Sequence, residues 1–585
     1  MPIRLHPLWT GLGLGLLCVL LYVWGLGDLP FHTKGEPREA TVVWEIYTSG
    51  EWILPLRNGS IIPSKPPLFH WLGAIFSLAG GALDEFTIRL PSALLAIVGV
   101  LLTYSAGVAL WGVEAGLIAA LILATSFEWV RAAITARVDM TLTVFMVMAF
   151  LFFLFLYRQR QVSYAKALVF FFLLGLATLA KGPVGAVLPG LAVGVFLLRQ
   201  RDLRFLRQLH LVSGVALLVL VAGSWYGLAL WRGGGEFFVK QVLKENLLRF
   251  FASGEAGMGH EHPFYYFVPN LFLGMAPWSF FFPPLVVFLY QRRSRWAEEG
   301  FRYLLVWTAT VFLFYSAATS KRSVYILPLY PAVALLLGAW WQELRQGRVA
   351  LPRAVRVLLQ GSGYVCFGLV IIALTAVLAQ LLGYDPLSLI RPLLHPKDQS
   401  NLPIFTGIIS TRPLAFLLWF GVVGPSALVL VRGVRSQYWG QVFAALVTFT
   451  ISTFLLVNNV FQPALGAART FRPFMPEVVA RVGNAPLFFY RAFDSGAVYY
   501  AGRRIPFYDP SARPLDASCF LLTWEEEWVK LVRQAGPALQ EVAISEGTGP
   551  KGNHRLVLVY VPPRTVLPAE NAIPADYDDS EEDTL

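Results

Sequence analysis

Four of the seven residues in KGEPREA (34–40) are charged, in a chain of 585 residues that is 56% hydrophobic and only 14% charged. Lys34, Glu36, Arg38 and Glu39 could together do two kinds of chemistry. A carboxylate can take the proton of an attacking hydroxyl, and fixed cations can neutralise a departing phosphate. Glu36 is the first candidate base and Asp139 the second, with Glu39 beside Arg38 or Lys34. Lys65 precedes Pro66-Pro67, which fix the backbone and hold the lysine at a helix entrance whose first-turn amides can bind an anion. The plainer alternative is a lysine that snorkels to lipid headgroups. Asp139 follows Arg131 and Arg137 at the start of an apolar run, where an ion pair with one of them competes with a chemical role.

GHEHPFYYF (259–267) sets His260 and His262 beside aromatic rings, which suits a sugar ring, a phosphate or a metal ion. Only Glu261 is near enough in sequence to join them as a ligand, so no metal site is assigned and no cofactor is indicated. Tyr265 and Tyr266 read equally well as membrane-belt residues. SKRSVYILPLYP (320–331) brings Lys321, Arg322 and Tyr325 to the start of another apolar run. An anionic partner such as a phosphate, or a lipid headgroup, explains the two cations there.

Membrane helices must position these groups. A span needs about 20 apolar residues, and thirteen runs qualify: 8–27, 88–112, 113–130, 139–157, 164–180, 183–198, 209–231, 265–290, 303–319, 325–343, 357–383, 413–431 and 439–458. The first reads as a retained span rather than a removed signal peptide. With the N-terminus inside, the basic loops YRQRQ (157–161), RQRDLRFLR (199–207), QRRSR (291–295), RQGRVALPRAVR (345–356) and VRGVR (431–435) all fall in the cytoplasm. Segments 28–87, 131–138, 232–264 and 384–412 and the C-terminus then lie outside. The net charge of +11 therefore reports topology rather than nucleic-acid binding. Cys18, Cys366 and Cys519 form neither a disulfide framework nor a metal-ligand spacing.

Within the first external segment, 36–52 and 65–80 read as helices lying in the membrane interface, where a lipid-borne substrate could reach their polar ends. Residues 1–460 form the membrane domain. Residues 470–563 form a small α/β domain, with strands at 486–493, 517–524 and 554–561 and a helix at 523–536 capped by Thr523. Arg503 and Arg504 could touch an anionic acceptor or sit as a surface pair at a strand edge. Residues 564–585 are an acidic, disordered tail.

Taken in order, GEPREA (35–40), WILPLRNG (52–59), KPPLFHW (65–71), RLPSA (89–93), VDMTLT (138–143), LATLAKGPVG (176–185), HPFYYF (262–267) with PWS (277–279), and SKRSVYILPLYPA (320–332) resemble the ArnT/protein-mannosyltransferase-like family of GT-C membrane glycosyltransferases. The resemblance covers about residues 8–345. It implies a membrane all-α GT-C fold with about 13 transmembrane helices, interfacial helices in the first external loop (28–87) and a small extracytoplasmic α/β domain. It implies transfer of a sugar, with inversion, from a polyprenyl (undecaprenyl) phosphate donor. The acceptor would be lipid A or another glycolipid, a glycan or a protein at the outer face of a bacterial inner membrane. Arg38, Lys65, His260 or His262, Lys321, Arg322 and Tyr325 would then hold the donor phosphate and sugar, and Asp139 matches a family aspartate. Gly35 stands where the family usually has an aspartate, and Glu39 where it has a tyrosine. Either Glu36 or Glu39 substitutes, or the acceptor is already anionic and needs no strong base, or catalysis is altered. A lipid-linked sugar flippase and a non-catalytic glycolipid-assembly protein are the competing readings. The flippase predicts polar residues deep in the spans, and the gathering of charge at the outer ends favours the transferase.

Overall fold

The computed structural model describes residues 6–251, 261–389, 391–395, 399, 401–509, 518–535, 539–550, 554–565 and 567. The chain runs α1 (Pro7–Tyr22), α2 (Gly35–Ser49), α3 (Leu68–Gly80), α4 (Glu85–Trp111), α5 (Val113–Ala124), α6 (Phe127–Ala133), α7 (Val138–Gln159), α8 (Tyr164–Lys181) and α9 (Val184–Gln200). It continues through α10 (Leu211–Phe251), α11 (Phe264–Gly274), α12 (Trp278–Gln291), α13 (Glu299–Ala317), α14 (Ser323–Arg345), α15 (Arg353–Leu381), α16 (Leu402–Thr411), α17 (Pro413–Ser436) and α18 (Trp439–Ala468). Among the described residues, eight helices are long and apolar enough to cross a membrane, or ten if the bent pairs α5–α6 and α11–α12 each count as one. This is a multi-pass membrane protein. Each of the thirteen apolar runs is helical; α1, α9 and α13 are those outside the set of ten. The two stretches expected in the interface are α2 and α3.

Small residues let α4, α5 and α14 approach closely. A Cβ on Gly107 would meet the Gly116 Cα at 2.5 Å, and one on Gly338 would meet the Ala115 carbonyl at 2.8 Å. Trp129, Trp278, Trp307, Trp340 and Trp341 fill the core. Trp307 Nε1 donates to the Pro328 carbonyl at 3.0 Å, and Trp278 Nε1 to Thr125 Oγ1 at 2.9 Å.

The basic loops gather at one end of the bundle. Arg160 pairs with Asp202 and Glu299, Arg302 bonds Gln200, and Arg295 reaches Glu343 at 3.2 Å. The 22 residues of α7 separate this end from Asp139 by about 33 Å.

Two of the segments expected outside contain helix. Segment 232–264 does not leave the helix at 231, because α10 runs on to Phe251. It bends at Gly234, whose φ of +54° suits glycine, and beyond the bend Phe237, Gln241 and Glu245 recur every four residues as buried side chains. Segment 384–412 contains α16, which has a proline in its first turn.

Beyond α18 come α19 (Phe474–Val482), α20 (Ser495–Ala501) and α21 (Glu525–Ala535) with β1 (Leu487–Phe489), β2 (Cys519–Trp524), β3 (Gln540–Ile544) and β4 (Leu556–Val561). The sheet order is β1-β2-β4-β3, with β1 parallel to β2 and the other pairs antiparallel. β3 was not predicted; a register shift between Glu541 and Ala543 breaks its alternation. The strand predicted at 486–493 is only Leu487–Phe489, since Arg491 turns the chain with φ +48°. Thr523 lies in β2 instead of capping α21. His260 and all but a few residues of the predicted acidic tail lie outside the described residues.

Candidate functional site

At the end of the bundle away from the basic loops, the starts of α2, α7 and α14 meet the ends of α8 and α10. Tyr325, near the start of α14, is the hub. Lys181 Nζ lies 4.2 Å from the Tyr325 ring centroid and also bonds Asp139. Arg249 Nη1 is 3.5 Å from the Tyr325 hydroxyl. One turn back, Glu245 pairs with Arg249 at 3.2 Å, and Lys65 forms a buried ion pair with the same carboxylate. Arg137 Nε stands 3.7 Å from Asp139 Oδ2. Arg322 is within electrostatic reach of Tyr325, Arg137, Arg249 and Arg38. Among the described residues, six cations (Arg38, Lys65, Arg137, Lys181, Arg249 and Arg322) thus share the site with three carboxylates, Glu39, Asp139 and Glu245.

Burial pulls the Lys65 ammonium down to about 8, against the opposing pull of Glu245. Burial also lowers Arg322. Arg249 Nε is buried without a hydrogen-bond partner among the described residues. An excess of buried cations is costly unless an anion answers it, and guanidinium forks match the oxygens of a phosphate.

Glu36, the first candidate base, is already committed. Arg89 Nε donates to its Oε1 at 2.7 Å, Arg89 Nη2 to its Oε2 at 3.1 Å, and the Ala136 N–H to Oε1 at 2.9 Å. Burial pushes this carboxyl up, but the Arg89 charge and hydrogen bonds outweigh it and leave the group below the usual carboxylate range. Arg89 Nη1 also donates to the Leu26 and Leu29 carbonyls at 3.0 and 2.5 Å. The geometry therefore makes Glu36 a tether between α2, α4 and the turn before α7. Glu39 is likewise engaged, by Arg38 Nε at 3.0 Å and by His70 Nε2 at 2.7 Å. It orients Arg38 and is not placed as a base.

Lys321 is corrected too. Its Nζ donates to the Ala318 and His262 carbonyls at 2.5 and 2.8 Å, so it closes its own loop while Arg322 joins the cluster. His262 stacks on Tyr266, ring centroids 4.1 Å apart. Arg131 pairs with Glu128, and Arg137 is the arginine beside Asp139. Among the described residues no group of three His, Cys, Asp or Glu side chains could hold a metal ion.

Residues 64–226, which include Lys65, Arg89, Asp139 and Lys181, match the family model described as dolichyl-phosphate-mannose-protein mannosyltransferase. A protein of Aquifex aeolicus, described only as uncharacterized, is 29% identical over 323 residues, 54% of this chain and 61% of its own length. The undecaprenyl phosphate-alpha-4-amino-4-deoxy-L-arabinose arabinosyl transferase of Aeromonas salmonicida is 28% identical over 376 residues, 63% of this chain and 66% of that protein. Both matches therefore span a little under two thirds of the relative. The crystal structure of ArnT from Cupriavidus metallidurans bound to undecaprenyl phosphate superposes with a TM-score of 0.73 over 95% of this chain and 98% of that one, at 20% identity. The fold is that of the GT-C enzyme ArnT.

In this ArnT-like chain the C-terminal sheet unit is seated on the first connecting segment. The Asn58 side chain donates to the Ile505 carbonyl and accepts from the Ile505 N–H, both at 2.7 Å. Arg504 pairs with Glu45 at 2.7 Å, and Tyr500 donates to Glu85 at 2.9 Å while accepting from the Phe31 N–H at 2.8 Å. Internal bonds thus hold the two arginines considered for an acceptor, with Arg503 donating to the Gly483 carbonyl at 3.1 Å.

Sequence reasoning missed His70, Arg89, Lys181, Glu245 and Arg249 as site residues. Lys181 offered a signal, a lone cation closing an apolar run. Glu245 and Arg249 are an i,i+4 pair that a helical reading of KQVLKENLLRFF would find.

Proposed function

We propose that this protein is a glycosyltransferase that moves a sugar, with inversion, from a polyprenyl (undecaprenyl) phosphate to an acceptor at the outer face of a bacterial inner membrane. The observation that carries the reading is the cluster of buried or half-buried cations around Tyr325 (Lys65, Lys181, Arg249 and Arg322), opposite the basic loops. The likeness to ArnT and to the mannosyltransferase family supports the donor class. The positive-inside rule puts the basic loops and the N-terminus in the cytoplasm and the sheet unit outside.

Breaking the sugar–phosphate bond leaves negative charge on the polyprenyl phosphate. Lys65 and Arg249, which share Glu245, neutralise it together with Arg322, and the Tyr325 hydroxyl donates a hydrogen bond to it. Glu39 and His70 hold Arg38 toward the same charge. Asp139, held by Lys181 and Arg137, is the carboxylate that orients the nucleophile. The acceptor is a glycolipid such as lipid A, a glycan or a protein, delivered beside the surrounding membrane lipids.

Incubating the purified protein with undecaprenyl phosphate-linked 4-amino-4-deoxy-L-arabinose or hexoses and extracted membrane glycolipid tests this. Wild type releases undecaprenyl phosphate, read by mass spectrometry, and Lys65→Ala releases it about 100-fold more slowly. No release from any of these donors would reject the reading.

A further inference from the structure

Gly35 opens α2 at the edge of the cation cluster, and another residue fills the place of its missing side chain. A Cβ on Gly35 would lie 2.9 Å from Arg137 Cζ, 3.0 Å from Nη1 and 3.2 Å from Nη2. The near-equal distances lay the guanidinium face-on against the glycine. From that seat Arg137 Nε reaches within 3.7 Å of Asp139 Oδ2, while Lys181, lying over the Tyr325 ring, bonds Oδ1. The carboxylate is thereby bracketed by two cations on different elements.

We propose that Gly35 and Arg137 act as one unit: the glycine seats the arginine, and the arginine is a positioning residue that holds Asp139 in line with Lys181. The inference rests on the transferase reading. Any side chain at position 35 displaces the guanidinium. The atoms displaced are the far end of a flexible side chain, so Gly35→Ala moves Arg137 and leaves the core intact. At Gly185, by contrast, an added Cβ would meet the Ala177 backbone at 2.4 Å. The start of α2 also stays fastened through Glu36 and Arg89, whatever Arg137 does.

A double-mutant cycle tests the unit. Gly35→Ala and Arg137→Ala each lower the transfer rate by about tenfold or more, and the double variant is no slower than Arg137→Ala alone, because coupled residues do not add. Binding of undecaprenyl phosphate, measured by native mass spectrometry, stays within about twofold of wild type in Gly35→Ala, which keeps every cation of the cluster. Arg137→Gln keeps a planar group over Gly35 without charge and is as slow as Arg137→Ala. Multiplying effects in the double variant, a wild-type rate in any single variant, or lost undecaprenyl phosphate binding in Gly35→Ala would each overturn the unit and leave the transferase reading standing. A wild-type protein that binds undecaprenyl phosphate but transfers no sugar would instead remove the transferase reading, and the unit with it.

Discussion

Arg89 Nε stands 2.7 Å from Glu36 Oε1, and both side chains are buried. The acid most prominent in the first connecting segment is therefore half of a structural ion pair. Removing one partner of such a pair leaves an uncompensated buried charge, at a cost of about 3–5 kcal/mol. Glu36→Ala lowers the melting temperature of the detergent-purified protein markedly, and Glu36→Gln, which keeps an accepting oxygen, lowers it less. A Glu36→Gln protein with wild-type thermal stability and no transfer would restore Glu36 as the base.

If Lys65 holds the phosphate as proposed, binding depends on pH. Its folded value of about 8 lies below the ordinary 10.5, because burial outweighs the pull of Glu245. Between those values the unfolded chain keeps a proton that the folded protein has lost, so this group's contribution to stability rises with pH across the window. Phosphate affinity moves the other way, since the cation is lost above about 8. Undecaprenyl phosphate binding weakens through that pH in wild type and stays flatter in Lys65→Arg, which remains charged. Identical profiles for the two proteins would contradict the assignment.

Glu245 pairs with both Lys65 and Arg249, two of the cations proposed to hold phosphate. Glu245→Gln removes one negative charge from the site and leaves Arg249 for the ligand, with Lys65 beside it at a pH low enough to keep its proton. Undecaprenyl phosphate binds the variant about tenfold more tightly, and turnover slows as this product leaves more slowly. Weaker binding in the equilibrium titration would make Glu245 an orienting partner of the two cations instead.

Asn58 fastens the C-terminal unit to the first connecting segment through both polar groups of Ile505. Asn58→Ala leaves a buried N–H and C=O unpaired, at about 1–3 kcal/mol each. Amide exchange at 494–508 accelerates in that variant, with little change in α4 or α7. Unchanged exchange would mean that Arg504–Glu45 and Tyr500–Glu85 hold the unit without it.

The helices were legible because a membrane span announces itself by length and apolarity. Lys65, Asp139 and Arg322 stood out because a charge at the mouth of an apolar run needs a reason to be there, and Arg38 and Tyr325 were singled out with the family resemblance. Commitment of a side chain was not legible. Glu36 and Glu39 look alike within KGEPREA, yet their partners, Arg89 and His70, come from 53 and 31 residues away. Lys321 and Arg322 are neighbours in sequence, yet one serves backbone carbonyls and the other the cation cluster. The end of α10 was hidden by the three glycines at 233–235, which imitate a loop and in the fold supply a bend.

The proposed transferase requires the cations around Tyr325 to hold a polyprenyl phosphate. The most direct measurement is mass spectrometry of the lipid that co-purifies with the wild-type protein and with Lys65→Ala from native membranes. The predicted result is a polyprenyl phosphate, with or without its sugar, retained by wild type and lost from the variant. Bulk phospholipid alone in both samples would mean that these cations do not hold a polyprenyl phosphate.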